Sequence, residues 1–159
     1  MTDSAQTPIT VQNLPLVVHA QYLKDASFEN PGAPLSLRGN LAPEMNVSIN
    51  LEAKNIPDDK IKSLFEVTIQ LRVRAMRGDH PLFLVDLDYA VAVSLDQIPE
   101  NQRHAVLLIE VPKLGFPFVR QILSDMVASG GFPPLMLTPV DFGAMYMERF
   151  GKKDADTVQ

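Results

Sequence analysis

At 159 residues, 46% hydrophobic and 21% charged, the chain has the length and composition of one ordinary globular domain. A net charge of −5 with no basic cluster argues against a nucleic-acid partner. With no cysteine, disulfides and thiolate metal sites are excluded.

Residues 1–12 are polar and are expected to be a flexible segment. They have neither the basic nor the apolar region of a signal peptide, and apolar runs such as Ala105 to Ile109 are far too short to cross a bilayer. A cytoplasmic protein without membrane insertion is expected. Leu14, Leu16, Val18, Ala20 and Tyr22 then alternate with Pro15, Val17, His19 and Gln21, which predicts a first strand to about Ser27. Phe28 to Pro34 is turn-rich, and Leu35, Leu37 and Leu41 keep the following crossover apolar enough to lie against the body. Met45, Val47, Ile49 and Leu51 alternate with Asn46, Ser48, Asn50 and Glu52 in a second strand, which ends before Pro57-Asp58-Asp59-Lys60.

The longest regular pattern runs from Phe65 to Val93. Two period-two runs flank the turn residues Arg77-Gly78-Asp79-His80-Pro81, and an antiparallel hairpin places every odd position on one face. The odd face is apolar, while the even face carries Leu84, Asp86, Asp88, Ala90 and Ala92 and is acidic, small and mostly polar. A symmetric hairpin also sets Arg72 opposite Asp86, where it offsets part of that charge.

Helical signals follow. Ser94-Leu95-Asp96-Gln97 resembles a capping box, and Pro99 suits the first turn of a helix to about Glu110. Pro112 and Pro117 are expected to break the chain before a second helix from about Phe116 to Ser129. Its stripe is Phe118, Val119, Ile122, Leu123, Met126 and Val127. Thr138-Pro139-Val140-Asp141 reads as an N-cap, a proline at N1 and an acid at N3. It opens a last helix with Phe142, Met145, Tyr146 and Phe150 on one side and a stop at Gly151, and residues 151–159 read as a disordered tail. Strands first and helices afterwards indicate an α+β domain over residues 13–150, a four-stranded antiparallel sheet with its helices on one face.

Catalysis finds little support. His19, His80 and His104 belong to no nucleophile or metal-spacing motif, and Asp86 with Asp88 lacks a third acid to hold a cation. No catalytic residue, metal or cofactor is assigned. Apolar surplus is the stronger signal, because Met145, Tyr146 and Met147 cannot all point one way on a helix. Part of that surface is expected to meet another subunit or a ligand, and methionine suits a surface accepting many apolar partners. This fits a promiscuous binder and an oligomer better than an enzyme. Rival readings are an oligomeric adaptor with one dedicated partner, and a small-molecule-binding protein or hydrolase using His19 or His104.

Several segments carry a specific resemblance. Tyr22-Leu23-Lys24-Asp25-Ala26-Ser27-Phe28-Glu29-Asn30-Pro31 resembles the Y-x-K-D-x-S-F-E-x-P signature of the SecB family of bacterial protein-export chaperones. Phe116-Pro117-Phe118-Val119-Arg120 and Met126-Val127 also resemble the family. Gly131-Phe132-Pro133-Pro134-Leu135 and Leu137-Thr138-Pro139-Val140-Asp141-Phe142 match its later run, in the right order and spacing from about residue 14 to 150. The resemblance implies a homotetramer, a dimer of dimers with helices between two sheet layers, and no enzymatic activity. It implies a chaperone that holds unfolded secretory precursors and passes them to the SecA translocation ATPase. The zinc-bearing C-terminal tail of SecA would dock on the acidic face, at Asp25, Glu29, Leu84 and Asp86. Clients would lie in a groove lined by Leu35, Leu37, Leu41, Met45, Val47, Ile49, Leu51, Phe142, Met145 and Tyr146.

Overall fold

A computed structural model describes residues 15–39 and 42–151. Four strands, β1 (Val17–Glu29), β2 (Glu44–Asn55), β3 (Leu64–Arg77) and β4 (His80–Ser94), form one antiparallel sheet in the order β1-β4-β3-β2. Helical segments α1 (Glu100–Ala105), α2 (Val111–Ser129) and α3 (Phe142–Phe150) follow. The expected α+β order and the gathering of helices on one sheet face are both present.

The hairpin is as expected. Leu64 to Ala75 pair symmetrically with Ser94 to Phe83, Arg72 lies opposite Asp86, and a one-residue slip beside Met76 leads into the turn. Gly78 makes that turn at φ 61°, a conformation that glycine adopts without cost. Every odd side chain named for β3 and β4, from Val67 to Ala75 and from Phe83 to Val93, is buried. Fully burying such a side chain contributes roughly 1.5–3 kcal/mol, so this face is the core.

Helix α2 covers it with Val111, Phe116, Val119, Leu123 and Val127. Close approach depends on Gly115, whose added Cβ would stand 3.0 Å from Val91 Cγ2 and 3.2 Å from Ile69 Cδ1. A helix is about 10–12 Å across and strands are about 4.8 Å apart, so one helix roofs about two strands. Here those are β4 and β3. The outer strands keep only partial cover, and Val17, Leu23, Met45 and Val47 remain exposed.

Four sequence-based expectations need correction. In β1 the pairing slips between Val18 and Ala20, so Val18 lies opposite Val93 while Ala20 and Tyr22 lie opposite Ala92 and Ala90. The even residues of β1 therefore do not share one face: a bulge reverses the phase. Ser94 caps no helix. It ends β4, α1 begins at Glu100, and the Asp96 carboxylate accepts the Ser63 backbone N–H at 3.1 Å. Pro112 and Pro117 do not interrupt the helix, because α1 and α2 are joined through a π-helical turn over Val106–Glu110. There the Val111 N–H reaches back five residues to the Val106 carbonyl, and the widened turn accommodates the Pro112 ring. Pro117 lies on the exposed side, where a missing backbone bond is tolerated. Finally, α3 is capped by Asp141, whose carboxylate accepts the Ala144 N–H at 2.9 Å, and not by Thr138.

Candidate functional site

Two surfaces stand out, one on each side of the sheet. The first is the helix-side flank of β2. Met45, Val47, Ile49 and Leu51 lie opposite Ala75, Val73, Leu71 and Ile69, so all four point toward the helices. Because α2 stops short of β2, Met45 is 41% and Val47 40% exposed. An apolar cavity opens beside each end of this row. One, of about 400 Å³, is lined by Leu37, Met45, Leu82, Phe83, Phe132 and Leu135. The other, of about 290 Å³, is lined by Ile49, Leu51, Leu108, Met145, Tyr146 and Phe150. Met45 and Leu51 are separated by about 20 Å of extended strand, at about 3.4 Å per residue.

Helix α3 closes the second cavity. Tyr146 Oη and His104 Nδ1 are 2.9 Å apart, and the His104 ring meets Phe150 edge-on at 4.8 Å. These contacts hold α3 against the end of α1, beside the π-helical turn, and give His104 a packing role. On α3 the 3.6-residue period separates Phe142 from its neighbours. Met145 and Tyr146 line the cavity, whereas Phe142 is 1% exposed and packs edge-on against Phe116 at 5.8 Å.

Of the expected groove residues, Leu37, Met45, Ile49, Leu51, Met145 and Tyr146 line the two cavities, and Val47 sits between them. Phe142 is corrected to the core. Leu35 is 67% exposed and lines neither cavity, and Leu41 lies outside the described residues. Sequence reasoning left Leu108, Phe132 and Leu135 out of the groove. The run Phe132-Pro133-Pro134-Leu135 was already a signal for two of them, since a proline-locked apolar connector cannot bury itself.

The second surface is the outer face, where side chains form rows across the strands. Asp25 lies opposite Asp88, Ser27 opposite Asp86 and Glu29 opposite Leu84, with Gln70, Arg72 and Arg74 next along. Glu29, Leu84 and Asp86 line one shallow depression of about 300 Å³, together with Ser27, Asn46 and Arg72. Asp25 stands one row away. All four residues assigned to partner docking are thus neighbours on one face. That face is of mixed charge rather than simply acidic. Arg72 bridges Asp86 at 3.2 Å (Nε to Oδ1) and Asp88 at 2.8 Å (Nη1 to Oδ1), and its hydrogen bond to Asp88 raises its pKa.

Farther along, the Tyr22 hydroxyl donates to Glu66 Oε2 and Lys24 Nζ donates to Glu66 Oε1 at 2.8 Å. The two hydrogen bonds hold the Glu66 carboxyl below its ordinary range, that of Lys24 foremost. Burial, then the bond to Glu66, pushes the Tyr22 hydroxyl up to about 12. His19 Nε2 lies 2.8 Å from Ser94 Oγ, a contact between β1 and β4. Among the described residues no three His, Asp or Glu side chains converge on a metal position, and no helix is long and apolar enough to cross a membrane.

The family model for SecB, preprotein translocase subunit SecB, matches residues 10–153. The chain belongs to the SecB family. As a SecB protein it is a protein-export chaperone, not an enzyme. The protein-export protein SecB of Maricaulis maris is 42% identical over 159 residues, 98% of this chain and 90% of that protein. That of Beijerinckia indica is 42% identical over 161 residues, covering 100% and 98%. In fold, the chain is similar to a SecB-like chaperone of Mycobacterium tuberculosis solved with a peptide from the HigA1 antitoxin. The TM-score is 0.60 at 18% identity, over 79% of this chain and 90% of that one.

Proposed function

We propose that the chain acts in the cytoplasm as a homotetramer, a dimer of dimers, that holds unfolded secretory precursors and delivers them to the SecA ATPase. Residues 13–150 form its single chaperone domain. One observation carries this reading: the apolar row on β2 is left open to solvent between two apolar cavities. An unfolded precursor exposes apolar segments, and covering them in such a furrow contributes on the order of 25 cal/mol per Å² without demanding a fixed sequence. Grooves on several subunits act on one client chain, so weak segment affinities combine through effective concentration. Holding the unfolded form opposes folding by mass action and needs no nucleotide.

Asp25, Glu29, Leu84 and Asp86 share the opposite face, away from the furrow, which supports simultaneous binding of SecA there and client here. The arginine between Asp86 and Asp88 means that a cationic SecA segment competes with Arg72 for these carboxylates.

The test is a refolding assay with an unrelated unfolded protein. Wild type delays refolding, and Met145→Asp with Tyr146→Asp abolishes the delay while light scattering still gives a tetramer. An unaltered delay in that tetramer overturns the groove assignment. Asp25→Lys with Asp86→Lys is expected to weaken SecA binding and leave client holding intact.

A further inference from the structure

The docking face carries a cation of its own among its acids. Asp25 and Asp88 stand directly opposite each other, and like charges so placed repel. Arg72, opposite Asp86 and one row from Asp88, offsets that repulsion. Among the described residues neither Asp25 nor Glu29 forms an ion pair, whereas Asp86 and Asp88 are both held by this one arginine.

Arg72 does not hold the two equally. Its Nη1 is the anchored end, donating to Asp88 Oδ1 at 2.8 Å and to the Leu71 backbone carbonyl at 3.0 Å. Its Nε meets Asp86 Oδ1 at 3.2 Å. The Asp88 side chain is 23% exposed and that of Asp86 59%. Short charge-assisted hydrogen bonds are the strong ones, and water screens an exposed pair, so the contact to Asp86 is the weaker. An incoming cation thus meets two carboxylates of different availability. Asp86 is readily given up, and Asp88 keeps the guanidinium.

We propose that Asp88 retains Arg72 when SecA docks, so that a lysine or arginine of SecA takes the Asp86 carboxylate, and that this ion pair sets the affinity of the face. The proposal rests on reading that face as the SecA surface. Arg72 and Asp88 are positioning residues, acting through the charge left free on Asp86. A merely structural Arg72 would lower stability when removed without tightening the complex.

The experiment measures SecA binding to variants of the full-length tetramer. Arg72→Gln frees Asp86 and tightens binding about two- to fivefold, the range of an exposed ion pair. Asp88→Asn leaves Arg72 with Asp86 alone and weakens binding by a similar factor. In the Arg72→Gln background Asp88→Asn changes little, because the arginine through which it acts is gone. Arg74→Gln is the control. It removes the same charge one row away, from an arginine that forms no ion pair among the described residues, and brings no comparable gain. The refolding delay of an unfolded client stays at the wild-type level in every variant.

Unchanged or weaker SecA binding in Arg72→Gln, while Asp86→Lys still weakens it, overturns the proposal and leaves the docking face standing. Equal gains from Arg72→Gln and Arg74→Gln overturn it too, since net charge then explains both. Weaker binding by Asp88→Asn in the Arg72→Gln background makes Asp88 a direct SecA contact and overturns its positioning role. If Asp86→Lys leaves SecA binding unaltered, the docking face is misassigned and the proposal falls with it.

Discussion

Leu71 in β3 and Ile49 in β2 stand opposite each other in the ladder and point the same way. Leu71 is fully buried, yet Ile49 is only partly covered and Val47, next on the same face, is 40% exposed. Both strands carry the same alternation of apolar and polar residues, so the difference does not lie in their local pattern. It lies in the width of α2, which roofs β3 and β4 and leaves β2 unroofed. In a protein built only for stability such a row would be a defect. In the client-groove reading proposed above it is the working surface, and its openness costs little because Leu71 and its neighbours are buried without it.

The sharpest way to break this comparison is to truncate the two rows in turn. Leu71→Ala should lose about 2–5 kcal/mol of unfolding free energy, measured by denaturant at matched protein concentration. Val47→Ala, in the same sheet and facing the same way, should lose less than about 1 kcal/mol while weakening client binding. Equal losses would mean that β2 belongs to the core.

A smaller effect is expected from lifting the roof. Gly115→Val places methyl groups against Val91 and Ile69, and such overpacking costs about 1–3 kcal/mol. The midpoint of denaturant unfolding reads it, and an unshifted midpoint would show that α2 does not rest on Gly115.

The smallest effect separates β1, tied to β3 through the Glu66 carboxylate, from a centre held by burial. Glu66 has a depressed pKa, so its contribution is complete above the ordinary glutamate value of 4.5 and is lost as pH falls through the lowered one. Tyr22 is shifted the other way: its contribution is complete below 10 and fades as pH rises from there toward about 12. Amide resonances of β1 should therefore move at both ends of the pH scale, while those of β3 remote from Glu66, around the buried Leu71, stay put. A β1 indifferent to pH would mean that its backbone bonds alone hold it.

Much of the hairpin was legible in advance. A period of two is a local property, and a short turn transmits it across the pair, so the odd core, the even outer face and the Arg72–Asp86 pairing all followed from residue order. The neighbourhood of Glu29, Leu84 and Asp86 was legible through the family resemblance, not through the alternation of β1, which the two bulges scramble. Phe142 was misjudged because sequence assigns it to an apolar helix stripe without saying which part of that stripe meets Phe116.

By itself the sequence determined the strands, their two faces and the family, because alternation, turn chemistry and signature residues are written along the chain. The tertiary structure alone decided where β1 changes phase, how a helix runs through Pro112 and Pro117, and which apolar residues stay uncovered. Those outcomes depend on packing: the phase of a strand is settled by its partners across the sheet, and exposure by how far one helix can reach across it.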